Sequence, residues 1–168
     1  MMTGKWHLGT EPHQSPIARG FNRFYGTRNF IDSYFTVLRN CQVYLDDKEV
    51  LPPTETPVNH LHPDREWYTT DVFTDYALHF MEESFEKHPD KPLFLYIAHN
   101  APHFPLHARE EDTKKYRGRF KDIGWDKLRQ ARYERMVKMG LIEKYWTLSP
   151  LDVPGWETYD EKMRDELD

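Results

Sequence analysis

Cysteine is almost missing from this sequence: Cys41 is the single one in 168 residues. No internal disulfide can form, and a zinc or iron–sulfur site built from several thiolates is excluded. No apolar run is long enough to span a bilayer, and no signal-peptide pattern opens the chain. Phosphate loops, dinucleotide fingerprints and nucleophile-elbow motifs are also lacking. So is any excess of positive charge. The formal net charge is −5, which leaves no global footprint for nucleic acid. Hydrophobic residues are sparse at 38%, but ten Tyr, ten Phe and five Trp are present to fill a core or line a pocket. The length suffices for one domain with its own core. Charge is uneven along it. Arg109 to Lys138 carries eleven Lys/Arg against six Asp/Glu, a pattern that reads as solvated helix faces.

Between Leu93 and His107 an unbroken apolar run turns into a loop with three histidines and two prolines. An apolar run without alternation predicts a strand covered on both faces, as in a parallel sheet. In open α/β sheets ligands bind beyond the carboxyl ends of such strands. His99, His103 and His107 therefore stand where an α/β protein puts its chemistry. Upstream, Val72, Phe73, Tyr76, Ala77, Phe80, Met81 and Phe85 recur at helical spacing, with Thr69 or Thr70 as N-cap and His88 to Pro92 as the stop. A helix followed closely by a strand predicts a layered α/β fold. Cys41 to Leu45 and Glu49 to Leu51 predict a hairpin around Asp46-Asp47-Lys48, and the prolines at 52, 53, 57 and 63 a long irregular loop. Arg19 to Gly26 predicts an aromatic-packed turn. Asp126 predicts the cap of a later helix ending near Gly140. No internal repeat is present.

Gly4-Lys5-Trp6-His7-Leu8-Gly9 predicts a short extended segment. If extended, it turns Lys5 and His7 to one side and packs Trp6 and Leu8 on the other. Lys and His together make an anion-binding pair, and the His can titrate. Taken on spacing alone, the same pattern fits a strand end with two exposed polar residues. The four-residue spacing of His99, His103 and His107 would suit a metal site on a helix face, but Pro102 and Pro105 forbid the helix. Cys41, in a strand-like setting, reads as a small buried hydrophobe and not as a nucleophile. Asp46-Asp47 reads as a solvated turn and not as a metal-binding pair.

Three segments then carry a resemblance. Gly4 to Gly9 resembles the second signature of the sulfatase family. Arg19 to Gly26 is similar to the Gly-Phe-aromatic turn that follows it in many arylsulfatases. Phe94-Leu95-Tyr96-Ile97-Ala98-His99-Asn100-Ala101-Pro102-His103-Phe104-Pro105 resembles the family's later strand and active-site histidine loop. Lys115 to Ile142 also looks like bacterial-type arylsulfatases. The resemblance implies an α/β fold similar to alkaline phosphatase, with a large mixed sheet between helices. It also implies hydrolysis of sulfate esters by a formylglycine nucleophile with a calcium ion. By position, Lys5 matches the lysine bridging nucleophile and sulfate. His7 matches the histidine on the formylglycine hydroxyl, and His103 the one beside the leaving oxygen. His99 is at most a supporting residue and His107 a structural one.

The formylglycine motif, Cys or Ser then Pro or Ala two residues on and then Arg, is absent, and Cys41 does not fit it. The acidic metal ligands of the family, the later Asp-Asn pair and a second lysine have no counterpart. Residues 1–168 are therefore expected to be the middle portion of a sulfatase catalytic domain, cut at both ends and inactive alone. The expected partners are a sulfated small molecule or carbohydrate and the remainder of the same enzyme, with no nucleic acid or membrane. The resemblance implies an exported, periplasmic or lysosomal setting for a complete family member. Two other readings are a phosphoesterase of the same superfamily and a non-catalytic domain that binds an anion or a partner.

Overall fold

A computed structural model describes residues 1–29, 31–37, 41–51 and 57–168. The chain divides into two compact units, Met1–His107 and Ala108–Asp168.

The first unit is built on a five-stranded mixed sheet. Its strands are β1 (Met2–Lys5), β2 (Phe24–Thr27), β3 (Val43–Leu45), β4 (Lys48–Leu51) and β5 (Tyr96–Ala98), in the order β4-β3-β2-β1-β5. β1 runs parallel to β2 on one side and to β5 on the other. The hairpin β3–β4 continues the sheet antiparallel from β2. Its turn is the Asp46-Asp47 pair, with Asp46 in the left-handed region at φ 57°. There the Asp46 carboxylate accepts the Phe24 amide at 2.9 Å, and Asp47 takes the Arg28 guanidinium at 2.7 Å. These aspartates hold the hairpin onto β2.

Helix α1 (Thr69–Lys87) packs on β1, β2 and β5. Val72, Phe73, Tyr76, Ala77 and Phe80 are buried along one stripe, as their spacing demands. Each large apolar side chain buried this way stabilises the unit by about 1.5–3 kcal/mol. Tyr76 stacks on Tyr25 of β2 with ring centroids 3.4 Å apart and planes within 5°. At the far end Arg23 joins the elements. It pairs with Asp46 and with Glu83 of α1, and lies over the Phe80 ring at 4.6 Å.

The structure departs from the sequence pattern at several places. The α1 stripe leaves out Phe85, which is 52% exposed, because the buried line continues through Ser84 and turns the next residue away from it. Tyr68, and not Thr69 or Thr70, holds the N-cap position. The Arg19–Gly26 segment is only partly a turn: Phe24 and Tyr25 are fully buried in β2. Cys41 is buried but precedes β3 instead of lying in it. The run Leu93–Ala98 forms just three strand residues and is not covered on both faces. β5 is an edge strand, with Phe94, Tyr96 and Ile97 at 72%, 48% and 40% exposure. Of the expected proline loop, residues 52–56 lie outside the described residues.

The second unit holds α2 (Glu110–Thr113), α3 (Gly124–Lys138) and α4 (Glu161–Leu167). Its centre is Trp156, whose indole N–H donates to the Lys121 carbonyl at 2.7 Å and meets the Trp125 ring edge-on at 4.7 Å. α3 starts at Gly124, so Asp126 is not its cap. The Asp126 carboxylate instead accepts the Trp156 amide at 2.6 Å. Gly140 does follow the helix in the left-handed region, at φ 69°. No helix among the described residues is long and apolar enough to cross a membrane.

Candidate functional site

The parallel strands β2, β1 and β5 end together at one edge of the sheet. Gly4 is the partner of Gly26 on one side and of Ala98 on the other, so Lys5 and His99 follow in adjacent positions. At its two glycines this row has no room for a side chain. A Cβ on Gly4 would stand 2.0 Å from the Ala98 carbonyl oxygen, and one on Gly26 would stand 1.9 Å from the Gly4 oxygen. Gly4 also adopts φ 104°, a conformation that glycine alone takes without strain. The glycines thus draw three strand ends together.

β1 stops at Lys5, which is half-buried. The Trp6 and His7 amides then bond to the Thr27 and Arg28 carbonyls at 2.9 and 3.1 Å. His7 sits in the left-handed region at φ 56°. Strand alternation therefore ends at Lys5, and a turn sets the direction of His7. Strained backbone of this kind persists only where neighbours over-determine it. Two neighbours do so here. The Trp6 indole donates to the Gln14 carbonyl at 2.7 Å and meets Phe21 edge-on at 6.1 Å. The Arg28 guanidinium is clamped between Asp47 and the Tyr44 ring, 4.2 Å from the ring centre. Leu8, expected to pack beside Trp6, is exposed.

The loop after β5 carries the histidines. Desolvation holds the His99 imidazole below its ordinary range, which favours its neutral form. His103 is exposed, and both X-Pro bonds around it, Ala101–Pro102 and Phe104–Pro105, are cis. Its amide donates to the Asn100 carbonyl at 2.9 Å, and its Nδ1 lies 2.5 Å from the Phe104 carbonyl oxygen. His107 serves packing: its Nδ1 accepts the Tyr34 amide at 3.4 Å, and its ring lies against Tyr34 and Phe35.

Two further residues at this edge escape a reading of the sequence. Tyr34 is buried and donates its hydroxyl to the His103 carbonyl at 2.7 Å. Burial pushes its phenol above the ordinary range, and the Asn100 amide offsets part of that shift. Asn100 is buried too, and its side-chain amide neighbours the Tyr34 hydroxyl without forming a well-aligned hydrogen bond to any described residue. Asn100 lies within a motif already singled out, but nothing in the sequence distinguishes Tyr34 from nine other tyrosines.

The edge thus carries the Lys5 ammonium, the imidazoles of His7, His99 and His103, and the buried Asn100 amide. That set suits an anion with delocalised charge. Among the described residues no three His, Cys, Asp or Glu side chains converge as a metal site would need. Cys41 is buried, with its thiol pushed up by desolvation, which makes it a poor nucleophile. A cleft of about 640 Å³ lies at the opposite, amino end of β1 and β5, between Met1, Arg19, Lys87 and Phe94, away from these groups.

Known proteins share this arrangement of sequence. The family model described as Sulfatase matches residues 1–166. An uncharacterized sulfatase of Schizosaccharomyces pombe is 29% identical over 171 residues, covering 98% of this chain and 29% of that protein. The arylsulfatase of Klebsiella aerogenes is 28% identical over 165 residues, covering 94% and 32%. The N-acetylgalactosamine-6-sulfatase of Homo sapiens is 33% identical over 125 residues, covering 72% and 23%. Among solved structures, Ps i-CgsB in complex with k-i-k-neocarrahexaose superposes with a TM-score of 0.56 at 30% identity, covering 71% of this chain and 27% of that one. The chain spans under a third of the length of these relatives.

Proposed function

The chain belongs to the sulfatase family, and from that premise we propose that its β1–β5 edge is the sulfate-gripping wall of a sulfuric ester hydrolase. One observation supports this reading above the others. Lys5, the Trp6-His7 turn and the His103 loop leave neighbouring parallel strands at the same end. In this reading Lys5 holds a sulfate oxygen by charge, as a compact ammonium does. His7 donates to a second oxygen near the reacting centre. His103 gives a proton to the departing alkoxide, the general-acid work that a positioned imidazole performs. Charge spread over sulfate oxygens is stabilised best by convergent donors held in place beforehand. The proposed substrate class is a sulfated carbohydrate.

The family resemblance implies calcium and formylglycine. The described residues fit neither: no three acidic or imidazole side chains cluster among them, and Cys41 lies outside the formylglycine motif. The proposed role of residues 1–168 is to bind and orient, with turnover depending on groups outside them.

The test uses p-nitrophenyl sulfate and the purified isotope-labelled chain. We expect no release of p-nitrophenol, and we expect saturable shifts of the His7 and His103 ring resonances. Lys5→Ala should weaken binding about tenfold, the equivalent of about 1.4 kcal/mol. Shifts confined to other residues, or equal binding by Lys5→Ala, would remove the sulfate-wall reading. Tighter binding of phenyl phosphate than of phenyl sulfate would move the chain to phosphoester chemistry.

A further inference from the structure

We infer that Tyr34 is a positioning residue for His103, a strut from the buried core that fixes the loop carrying the imidazole. This inference deepens the sulfate-wall reading and rests on it for its functional meaning.

The His99–His107 loop leaves an edge strand, so a neighbouring strand supports it on one side alone. His103 is itself exposed and lies between two prolines that donate no amide hydrogen bond. Within the loop, the His103 amide bonds to Asn100 and the His107 amide to Pro105, each at 2.9 Å. Those bonds shape the loop but do not tie it to the rest of the unit.

Tyr34 does. Its hydroxyl reaches the His103 carbonyl at 2.7 Å, and its amide reaches His107 Nδ1 at 3.4 Å. One residue thereby grips the loop at its tip and at its exit. Tyr34 is anchored in turn. Its carbonyl accepts the Thr69 amide at 2.9 Å, at the first residue of α1, and its ring lies 6.3 Å from that of Tyr68. It is 1% exposed. A buried tyrosine needs some acceptor for its hydroxyl, and a plain core residue could use any carbonyl. Here the acceptor is the main chain of the candidate acid itself, and a second bond holds the same loop.

The chemical consequence concerns the ring nitrogens. His103 Nδ1 faces the Phe104 carbonyl at 2.5 Å, so a proton on Nδ1 is donated there. Nε2 is then the nitrogen that takes up and releases the working proton. Holding the His103 carbonyl fixes the backbone from which this ring is aimed. Small errors in such aim are costly in rate.

Tyr34→Phe keeps the ring and removes the donor. The full 168-residue chain is compared with this variant by nitrogen NMR of the His103 ring and by titration with p-nitrophenyl sulfate. Wild type should show His103 as the Nδ1–H tautomer when neutral. The variant should show mixed tautomers and about tenfold weaker binding. Val72→Ala, a core change that removes none of these hydrogen bonds, should lower thermal stability and leave the tautomer unchanged. A Tyr34→Phe chain with wild-type tautomer and wild-type binding overturns the inference. If wild type does not bind the probe, the sulfate-wall reading fails, while the tautomer comparison still decides the role of Tyr34. If Tyr34→Phe does not fold, wild type decides alone. A slowly exchanging Tyr34 hydroxyl proton close to His103 supports the strut, and a freely exchanging one overturns it.

Discussion

Gly4 shows how much a single position can carry. It lies in the left-handed half of backbone space and against the Ala98 carbonyl at once. Gly4→Ala meets both obstacles, and flexible side chains cannot absorb the clash because the neighbour is backbone. We expect a loss of about 3 kcal/mol or more of unfolding free energy, measured by urea titration. Tyr25 presents the opposite case. Its hydroxyl is buried without a hydrogen-bond partner among the described residues, and burial, with Tyr76 adding, pushes its phenol far above the ordinary range. A phenol whose folded pKa is raised stabilises the fold below the unfolded value near 10, and that contribution is lost as pH rises beyond it. Tyr25→Phe removes the orphaned hydroxyl, so it should be neutral or stabilising by up to about 1 kcal/mol at pH 7. It should also flatten the fall of the urea midpoint between about pH 9 and pH 11. A variant that is clearly less stable at pH 7 would mean that the hydroxyl has a partner after all.

The elements differ in how well they are covered. α1 buries one stripe and shows the other side to water, which explains why its periodicity was readable in advance. β5 is apolar on an edge that no described residue pairs. An unpaired strand with exposed Phe94, Tyr96 and Ile97 invites pairing with another chain. Ile97→Lys should therefore reduce concentration-dependent light scattering of the purified chain several-fold, because an edge lysine opposes strand addition. Unchanged scattering would place the sticky surface elsewhere, for example on Phe104 and Leu106, both exposed beyond 75%.

At the scale of the molecule, two units carry very different cores. The first holds a cluster running from Tyr25 through Phe80. The second is centred on Trp156, with most of its other side chains exposed. Calorimetry should resolve two transitions, the second unit melting first. Gly124→Ala should abolish the lower one and leave the upper one in place. Gly124 sits at φ 70°, and an added Cβ would stand 2.2 Å from Trp156 Cγ. A single transition lost as a whole would show that the units fold together.

Much of the fold was legible from residues alone. The α1 stripe, the β3–β4 hairpin and the α/β layering follow from periods and turn chemistry, which are local properties of the chain. The family resemblance was legible for a different reason, because Gly4–Gly9 and Phe94–Pro105 are dense motifs. The exposure of β5 was not legible. An apolar run reads the same whether a neighbouring strand covers it or not, and strand order is a property of the whole sheet. The left-handed backbone at His7 escaped as well, since it depends on the carbonyls of Thr27 and Arg28 where β2 ends. Tyr34 is the clearest case. The sequence alone settled that histidines follow an apolar strand and that prolines bar a helix there. Tertiary structure alone decided which tyrosine grips His103, because that hydrogen bond joins residues 69 positions apart.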